Sequence, residues 1–444
     1  MELKKYKFND IVIGNEGLLK GPFGSDLKKE LYVPKSESTY KVYLQENILK
    51  KDNFVGNHYI TKDYYDTAMK RYAVKEGDFI VTCDGTLGEI FQLKNITEKG
   101  IISSSLLRIT LNKELCDEVF FPYFWTIKMK KTLVARANNS VLKHLPGLTD
   151  IRNFSFELPN LPTQRKIAAV LSALDNKIDL NRSINRNLEA LAKQHYDYWF
   201  VQFDFPFDFA QGKPNAEGKP YKSSGGKMVW NDKLKREVPE GWEVKKLEDT
   251  LKCDISGDWG EEQTKGNHTY KVNCIRGCDM VNMTNLPERY IIPKNADKLL
   301  ETNDFVIEIS GGSPSQSTGR IVQITEEIIN RFNKKVICSN FCHGIRLKEA
   351  NLVSYFLQTW NTFYKNGVFF NYEGKTSGLK NFQFDSFFSN YWYFPPMELA
   401  RQYHETYSKI KEKIDKTETE ITKLTALRDK LLPLLMNGQV EVKG

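Results

Sequence analysis

Two long stretches of this chain place apolar or aromatic residues at alternating steps of four and three positions. An average spacing of 3.5 residues predicts helices that pack through a coiled-coil seam, interrupted by polar Asn181 and Thr417, which would fix the register at a cost in stability. The alternative is an amphipathic helix packed on its own domain, for which about 38 residues is long. The predicted seam residues are Ile167, Leu171, Leu174, Ile178 and Leu188 in the first stretch and Tyr403, Ile410, Ile414, Ile421, Leu424 and Leu431 in the second.

Helix-breaking residues mark the ends of both stretches. Pro162 and the pair Pro395–Pro396 stand where a helix can begin but cannot continue from upstream. Gly438 is expected to stop the second helix, and Pro433 to kink or end its last turns.

The chain repeats itself at a shift of 236 residues. The shift places Lys177–Asp179 on Lys413–Asp415 within the predicted helices. Outside them, Asp78–Val81 resembles Asp304–Ile307, and each reads as a buried strand entering a Gly-rich loop. Each loop precedes a further strand that carries an arginine near its end, Arg108 or Arg346. The order is therefore block, helix, block, helix, which makes the fold class α/β (mixed α+β) with two globular domains.

Composition breaks give the domain boundaries. The predicted segments are a first block at 1–160, a first helix at 161–203, a connector at 204–240, a second block at 241–395, and a second helix with its tail at 396–444. The connector is rich in Gly, Pro, Lys and Ser, so we expect a flexible or ligand-facing segment rather than a tight turn.

Composition then narrows the class of protein. The 444 residues are 40% hydrophobic and 12% aromatic, which excludes bulk disorder. No apolar run reaches the ~18 residues of a membrane span, and the first residues have no secretory apolar core. Seven cysteines, an odd and sparse number, indicate reduced thiols and a cytoplasmic protein.

The charge suits a polyanionic partner without establishing one. The net charge of +8 is spread thinly, with +4 in residues 1–161 and zero in residues 241–396. Nucleic-acid contact would therefore depend on local patches, such as Lys128, Lys130, Lys131, Arg136 and Lys143.

No catalytic or metal-binding constellation is recognisable. Gly374–Thr376 resembles part of a phosphate-binding loop, but Phe369 occupies the position of its first glycine. Asp304 and Glu308 lack the lysine that would follow nuclease carboxylates, and we interpret them as solvated acids at a strand edge. The cysteines of two C-x3-C pairs lie too far apart in sequence for a typical zinc knuckle and are interpreted as small buried residues: Cys274, Cys278, Cys338 and Cys342.

Taken in order, the motifs of this chain resemble those of the specificity (S) subunit of type I restriction–modification systems. The resemblance covers nearly the full length, except that the first block lacks a clear Pro-x-Gly-Trp start and the second helix lacks the usual Glu-Gln pair. It rests on Gly21–Ser25, Leu158–Ala168, Trp199–Phe200, Gly218–Lys222 with Gly225–Val229, Val238–Trp242, and Leu427–Leu435 with Gly438.

This resemblance implies two target recognition domains, each reading one half of an interrupted site in double-stranded DNA. It implies that the two helices pack antiparallel as a spacer; about 38 residues at ~1.5 Å each would span ~57 Å. The resemblance implies two methyltransferase (M) subunits and nuclease/translocase (R) subunits as partners, and no membrane partner. S-adenosylmethionine, ATP and Mg would bind to these partner subunits. This chain would then have no cofactor, metal or catalytic residue of its own.

Two other functions remain open, namely an enzyme with undetected methyltransferase or nuclease chemistry, and a coiled-coil adaptor that binds no DNA. For DNA contact we expect polar residues in Gly-containing loops, which let a backbone approach the duplex. The candidates are Ser25, Lys28, Lys29, Thr86, Lys143 and His144 in the first block and Arg276, Ser313, Ser315, Gln316, Arg320, Lys375 and Lys380 in the second.

Overall fold

A computed structural model describes residues 2–136, 144–215, 217–281, 283, 285–311, 316–376 and 379–442. The chain forms two compact units. Unit 1 comprises Met1–Asp179 and Lys423–Gly444, and unit 2 comprises Leu180–Thr422. The division falls inside both long helices, so each unit combines a sheet domain with part of each helix. Among the described helices, none has the length and apolar character that crossing a membrane requires.

The described residues of unit 1 form nine strands and five short helices before the first long helix. The strands are β1 (Leu3–Lys7), β2 (Leu18–Lys20), β3 (Thr39–Tyr43), β4 (Tyr59–Thr61), β5 (Phe79–Thr82), β6 (Ile90–Gln92), β7 (Gly100–Ile102), β8 (Leu106–Ile109) and β9 (Ser155–Pro159). The helices are α1 (Gln45–Leu49), α2 (Lys62–Tyr64), α3 (Phe121–Phe124), α4 (Lys131–Ala135) and α5 (Leu148–Asn153), followed by the long α6 (Leu161–Tyr196), which enters unit 2.

Unit 2 contains the other strands that the structure describes. In the connector these are β10 (Pro206–Asp208), β11 (Lys213–Pro214), β12 (Lys219–Pro220), β13 (Met228–Asn231) and β14 (Arg236–Pro239). The second block has β15 (Glu243–Lys246), β16 (Leu251–Ser256), β17 (Tyr270–Ile275), β18 (Glu288–Ile291), β19 (Phe305–Glu308), β20 (Ser310–Gly311), β21 (Ile321–Gln323), β22 (Val336–Cys338), β23 (Cys342–Leu347), β24 (Glu373–Thr376), β25 (Leu379–Phe382) and β26 (Tyr391–Phe394). Its helices are α7 (Glu326–Arg331), α8 (Val353–Lys365), α9 (Phe384–Phe388) and the long α10 (Met397–Met436), which ends in unit 1.

The two units share one sheet plan, which confirms the internal repeat and the mixed α/β class. A four-stranded sheet has the order β2-β8-β5-β6 in unit 1 and β16-β23-β19-β21 in unit 2. A three-stranded sheet has the order β4-β3-β7 or β18-β17-β22, in each case with one antiparallel and one parallel pair. The ladders β1-β9 and β15-β26 are the third equivalent pair.

The connector differs from the expected flexible segment. Asp204 accepts hydrogen bonds from the Ser223 amide at 2.7 Å and its hydroxyl at 2.6 Å. The Phe205 and Tyr221 rings stack with their centroids 4.7 Å apart, and both side chains belong to the main apolar core of unit 2. The aromatic residues within this Gly- and Pro-rich segment explain the difference, because their burial offsets the cost of ordering it.

Within unit 1, the start of α6 packs against the end of α10. Ile167 and Leu171 share an apolar cluster with Leu435 and Met436. Farther along, Arg428 of α10 donates a hydrogen bond of 2.9 Å to Asp175 of α6. A higher position on α6 thus meets a lower position on α10, which is the antiparallel arrangement.

Within unit 2, the facing positions run in the same antiparallel sense and include polar residues. Asn181 donates to Glu420 at 2.9 Å, and Asn185 donates to Glu418 at 2.7 Å while accepting from the Thr417 hydroxyl. These are the polar seam positions, and Asn181, Asn185 and Thr417 are all buried. The other predicted seam residues are buried or half-buried, with Leu174, Leu188, Ile410, Ile414, Leu424 and Leu431 in the half-buried group.

The helix starts and the stop at Gly438 agree with their sequence signals, and Pro433 lies inside the last turn of α10. α6 begins one residue before Pro162, and α10 begins directly after Pro395–Pro396. α10 continues through Pro433 to Met436, and Gly438 follows with a left-handed φ of 68°.

We expect Leu171→Ala to lower the free energy of unfolding by about 2–5 kcal/mol, because this fully buried side chain would leave a cavity between α6, α10 and the first block. Leu180→Ala, on the same helix but 55% exposed, is the matched control and should change stability by less than about 0.5 kcal/mol. Denaturant midpoints compare the two variants. Equal midpoints would contradict the packing described for unit 1.

The stability of unit 2 should depend on pH because it contains two half-buried histidines. Burial lowers the pKa of His195, which lies against Trp199 and Tyr403, and of His404, whose Nδ1 lies 2.8 Å from the Ser354 hydroxyl. The unfolded chain then binds more protons than the folded one as the pH falls below about 6.5, so these groups reduce stability there. Denaturation of the wild type and of the His195→Gln/His404→Gln variant is measured at several pH values below about 6.5. The free energy of unfolding should fall more steeply with decreasing pH in the wild type. The same slope in both proteins would contradict this prediction.

Candidate nucleic-acid interface

In unit 1, the predicted loops gather at one edge of the four-stranded sheet. β2 and β5 both run antiparallel to β8, so both end at the same edge. We define the first rim as residues 21–29, 44–45, 83–88, 103–105 and 144–145. The Cys83 amide donates to Ser105 O at 2.8 Å, and the Leu145 amide donates to Cys83 O at 3.1 Å, which joins three of these segments.

Asp84 is the centre of the first rim. His144 Nδ1 lies 2.6 Å from its carboxylate, and Gln45 Nε2 donates to its carbonyl oxygen at 2.8 Å. Thr86 lies exposed two residues later. The structure therefore places His144 on the loop that contains Thr86, whereas Lys143 lies outside the described residues. The sequence did not predict Gln45 as a site residue, because it belongs to no motif. Its contact with Asp84 forms only in the folded protein.

The remaining candidates of the first rim are exposed. Ser25 donates to the neighbouring Asp26 at 3.1 Å. In the described part of the chain, neither Lys28 nor Lys29 has an ion-pair partner, and Lys20, which the sequence reasoning missed, has none either. Unpaired lysines on a loop can neutralise phosphates without first breaking an internal contact.

In unit 2, the equivalent loops lie at the equivalent edge. β16 and β19 both run antiparallel to β23 and end together. We define the second rim as residues 257–261, 276–279, 309–311, 316–320, 339–341 and 379–382. The Phe382 amide donates to Ile309 O, and the Ser339 amide to Ile275 O.

A buried tryptophan holds the Gly-rich loop in each rim. Trp125 Nε1 donates to Gly88 O at 2.9 Å in unit 1, and Trp360 Nε1 donates to Gly319 O at 2.6 Å in unit 2. Both glycines have a left-handed φ, 74° and 92°, which other residues adopt only with strain. The loops are thus presented from a fixed scaffold, as functional loops usually are.

The cationic candidates of the second rim are already paired within the protein. Arg320 donates to Glu308 at 2.8 and 2.6 Å, and Arg276 donates to Asp279 at 2.8 and 2.9 Å. These hydrogen bonds raise the pKa of both guanidinium groups. Each pair uses Nε and Nη2 of a guanidinium that has further N–H donors, so contact of either arginine with a base stays a prediction.

The other predicted DNA-contact residues of unit 2 are Lys380, Lys375, Ser313, Ser315 and Gln316. Lys380 lies 3.2 Å from Glu373 and donates to the Gln316 carbonyl at 3.1 Å. Ser313 and Ser315 lie outside the described residues, as does the side chain of Lys375. Gln316 itself is exposed.

The interpretation of Asp304 and Glu308 as solvated acids is wrong. Asp304 is fully buried and Glu308 is 7% exposed, because β19 is an inner strand. Arg346 donates to Asp304 at 2.7 and 2.8 Å, so each carboxylate has an arginine partner. The described residues contain no cluster of three or more side chains that could hold a metal ion.

The four cysteines of the two C-x3-C pairs were predicted to be small buried residues, and all but Cys278 are buried. Cys274, Cys338 and Cys342 are buried, and Cys278 is exposed. Burial raises the pKa of Cys274 and of Cys342 to about 12, which disfavours the thiolate that a metal or a nucleophilic reaction requires.

Known proteins are similar to this chain in sequence and in fold. The sequence profile of the type I restriction modification DNA specificity domain matches residues 26–190. The chain is 24% identical over 379 residues to the type I restriction enzyme MjaIX specificity subunit of Methanocaldococcus jannaschii, covering 83% of this chain and 78% of that protein. The HindI specificity subunit of Haemophilus influenzae is 26% identical over 148 residues, 32% of this chain and 31% of that protein.

A crystal structure of a type I restriction–modification S subunit from M. genitalium has a TM-score of 0.58 at 15% identity, with 98% of this chain and 96% of that chain covered. It shows the same fold. Residues 26–190 match the type I specificity domain, and most of the chain is similar to type I specificity subunits. The sequence-based resemblance to specificity subunits is therefore confirmed.

Proposed function

We propose that this specificity subunit is the non-catalytic DNA-recognition component of a type I restriction–modification complex. Each recognition domain reads one half of a bipartite, interrupted site in double-stranded DNA. The observation that carries the proposal is the duplication: two units with one sheet plan each present fixed polar loops at the equivalent sheet edge. Two similar but non-identical surfaces suit two different half-sites.

The long helices are proposed to dock two methyltransferase subunits, with nuclease/translocase subunits joining for cleavage. Support comes from their exposed faces, where Leu180, Leu191 and Leu427 remain 45–55% exposed although apolar. S-adenosylmethionine, ATP and Mg are proposed to act in those partners. The seven free cysteines support a cytoplasmic location.

The test is reconstitution of the full chain with the type I methyltransferase subunits of the same host. The complex should transfer methyl groups to adenines in one interrupted DNA motif, and neither the chain alone nor the methyltransferase alone should do so. Methylation by the isolated chain would contradict the non-catalytic role, and methylation without sequence preference would contradict the recognition role.

A further inference from the structure

An aromatic side chain stands out from the first rim although its surroundings are ordered. Phe23 is 81% exposed, whereas its neighbour Pro22 is buried. The loop is held on both sides: the Gly21 amide donates to Leu106 O at 2.9 Å, and Leu27 is buried in an apolar cluster. Phe23 is therefore held out by a fixed loop rather than carried on a loose one.

The same construction recurs 236 residues later. A Cβ on Gly21 would lie 1.9 Å from Ser103 O, and a Cβ on Gly257 would lie 2.0 Å from Ser339 O. In each unit only glycine permits this approach of the loop to the turn before β8 or β23. The residue two positions after each glycine is aromatic, Phe23 in unit 1 and Trp259 in unit 2.

The two aromatic residues differ in how far they are covered. The Arg289 guanidinium lies 4.6 Å from the Trp259 ring centroid, and Phe341 lies edge-on at 6.4 Å. Trp259 is accordingly half-buried, while Phe23 is nearly free. Any partner gains more apolar burial from Phe23 than from Trp259.

The surroundings of Phe23 select a polyanionic partner. Lys20, Lys28 and Lys29 are exposed in or next to the same loop and, within the described residues, form no ion pair. Glycines flank Pro22–Phe23, so no bulky neighbour prevents the ring from entering a groove. A projecting phenyl ring between unpaired lysines fits a duplex whose phosphates meet the lysines while the ring meets the bases.

We propose that Phe23 and Trp259 are apolar wedges that enter a base step of the first and second half-site, respectively. This inference rests on the proposed DNA-recognition function. A ring inserted at a base step partly unstacks it, and that cost is offset by burial of the ring and by closer phosphate contacts. The less exposed Trp259 makes the shallower insertion.

The experiment uses the full chain in complex with its methyltransferase subunits and DNA carrying 2-aminopurine at single positions of either half-site. Unstacking raises the fluorescence of this base analogue. Phe23→Ala should weaken binding about tenfold and remove the fluorescence increase in the first half-site only. Trp259→Ala should do the same, to a smaller extent, in the second half-site only. Phe23→Trp should retain the fluorescence increase in the first half-site that Phe23→Ala removes.

Two control variants test whether the loss of any exposed aromatic side chain weakens DNA binding. Phe54→Ala in unit 1 and Trp230→Ala in unit 2 remove aromatic side chains that are 62% and 57% exposed but lie outside the rims, and both should bind DNA as wild type does. Unchanged binding and fluorescence in Phe23→Ala would overturn the wedge while leaving the proposed function intact. Weaker assembly with the methyltransferase and unchanged DNA fluorescence would overturn it in favour of a protein contact. A wild-type complex without sequence-specific binding would instead refute the proposed function.

Discussion

Asp304→Asn should lower the free energy of unfolding of unit 2 by about 3–5 kcal/mol. Asp304 is fully buried on the inner strand β19, and its carboxylate accepts two hydrogen bonds from Arg346. An amide cannot accept both, so the variant leaves a half-buried guanidinium without its main counter-charge beside a buried polar group.

Glu301→Gln is the matched control, because Glu301 pairs with the same arginine at 2.9 Å but is 66% exposed. A solvent-exposed ion pair contributes about 1 kcal/mol or less, so this variant should remain close to wild type. Amide hydrogen exchange in Phe305–Glu308 reports the stability of the strand directly. Similar protection in the two variants would contradict the account of the buried pair.

Lys28→Ala/Lys29→Ala should weaken DNA binding by the assembled complex about tenfold at low salt, for all sequences alike. Both side chains are exposed on the first rim. If each meets a phosphate, the slope of log affinity against log salt should fall by about 1.8.

The control for this charge change is Lys4→Ala/Lys5→Ala. These lysines are exposed on β1, whose ladder with β9 contributes no loop to the rim. The same loss of two charges there should leave the salt slope unchanged. Equal slopes for the two double variants would show that net charge, rather than the rim, determines binding.

The sequence predicted the elements whose pattern is local or repeated. Steps of four and three residues located both long helices, and the match between Asp78–Val81 and Asp304–Ile307 located β5 and β19 as buried strands. Gly-rich loops after these strands then located much of both rims. Such features depend on periodicity, on glycine conformation and on internal similarity, all of which a single sequence contains.

What the sequence did not predict depends on contacts between distant positions. The sequence did not predict that Arg320 pairs with Glu308, or that Lys380 lies near Glu373 in the β24–β25 hairpin. The connector composition indicated flexibility, but the fold buries the Tyr221 ring against Phe205. In each case the partner is determined by tertiary packing rather than by the local pattern.

The central claim, that each recognition domain reads its own half of one interrupted DNA site, is tested most directly by sequencing modified bases in the host genome. Three strains are compared, one with this gene intact, one with it deleted, and one in which residues 241–395 are exchanged for the second block of another specificity subunit. The account predicts one bipartite methylated motif, absent from the deletion strain and altered in one half only by the exchange. A motif that survives deletion, or an exchange that alters both halves, would contradict it.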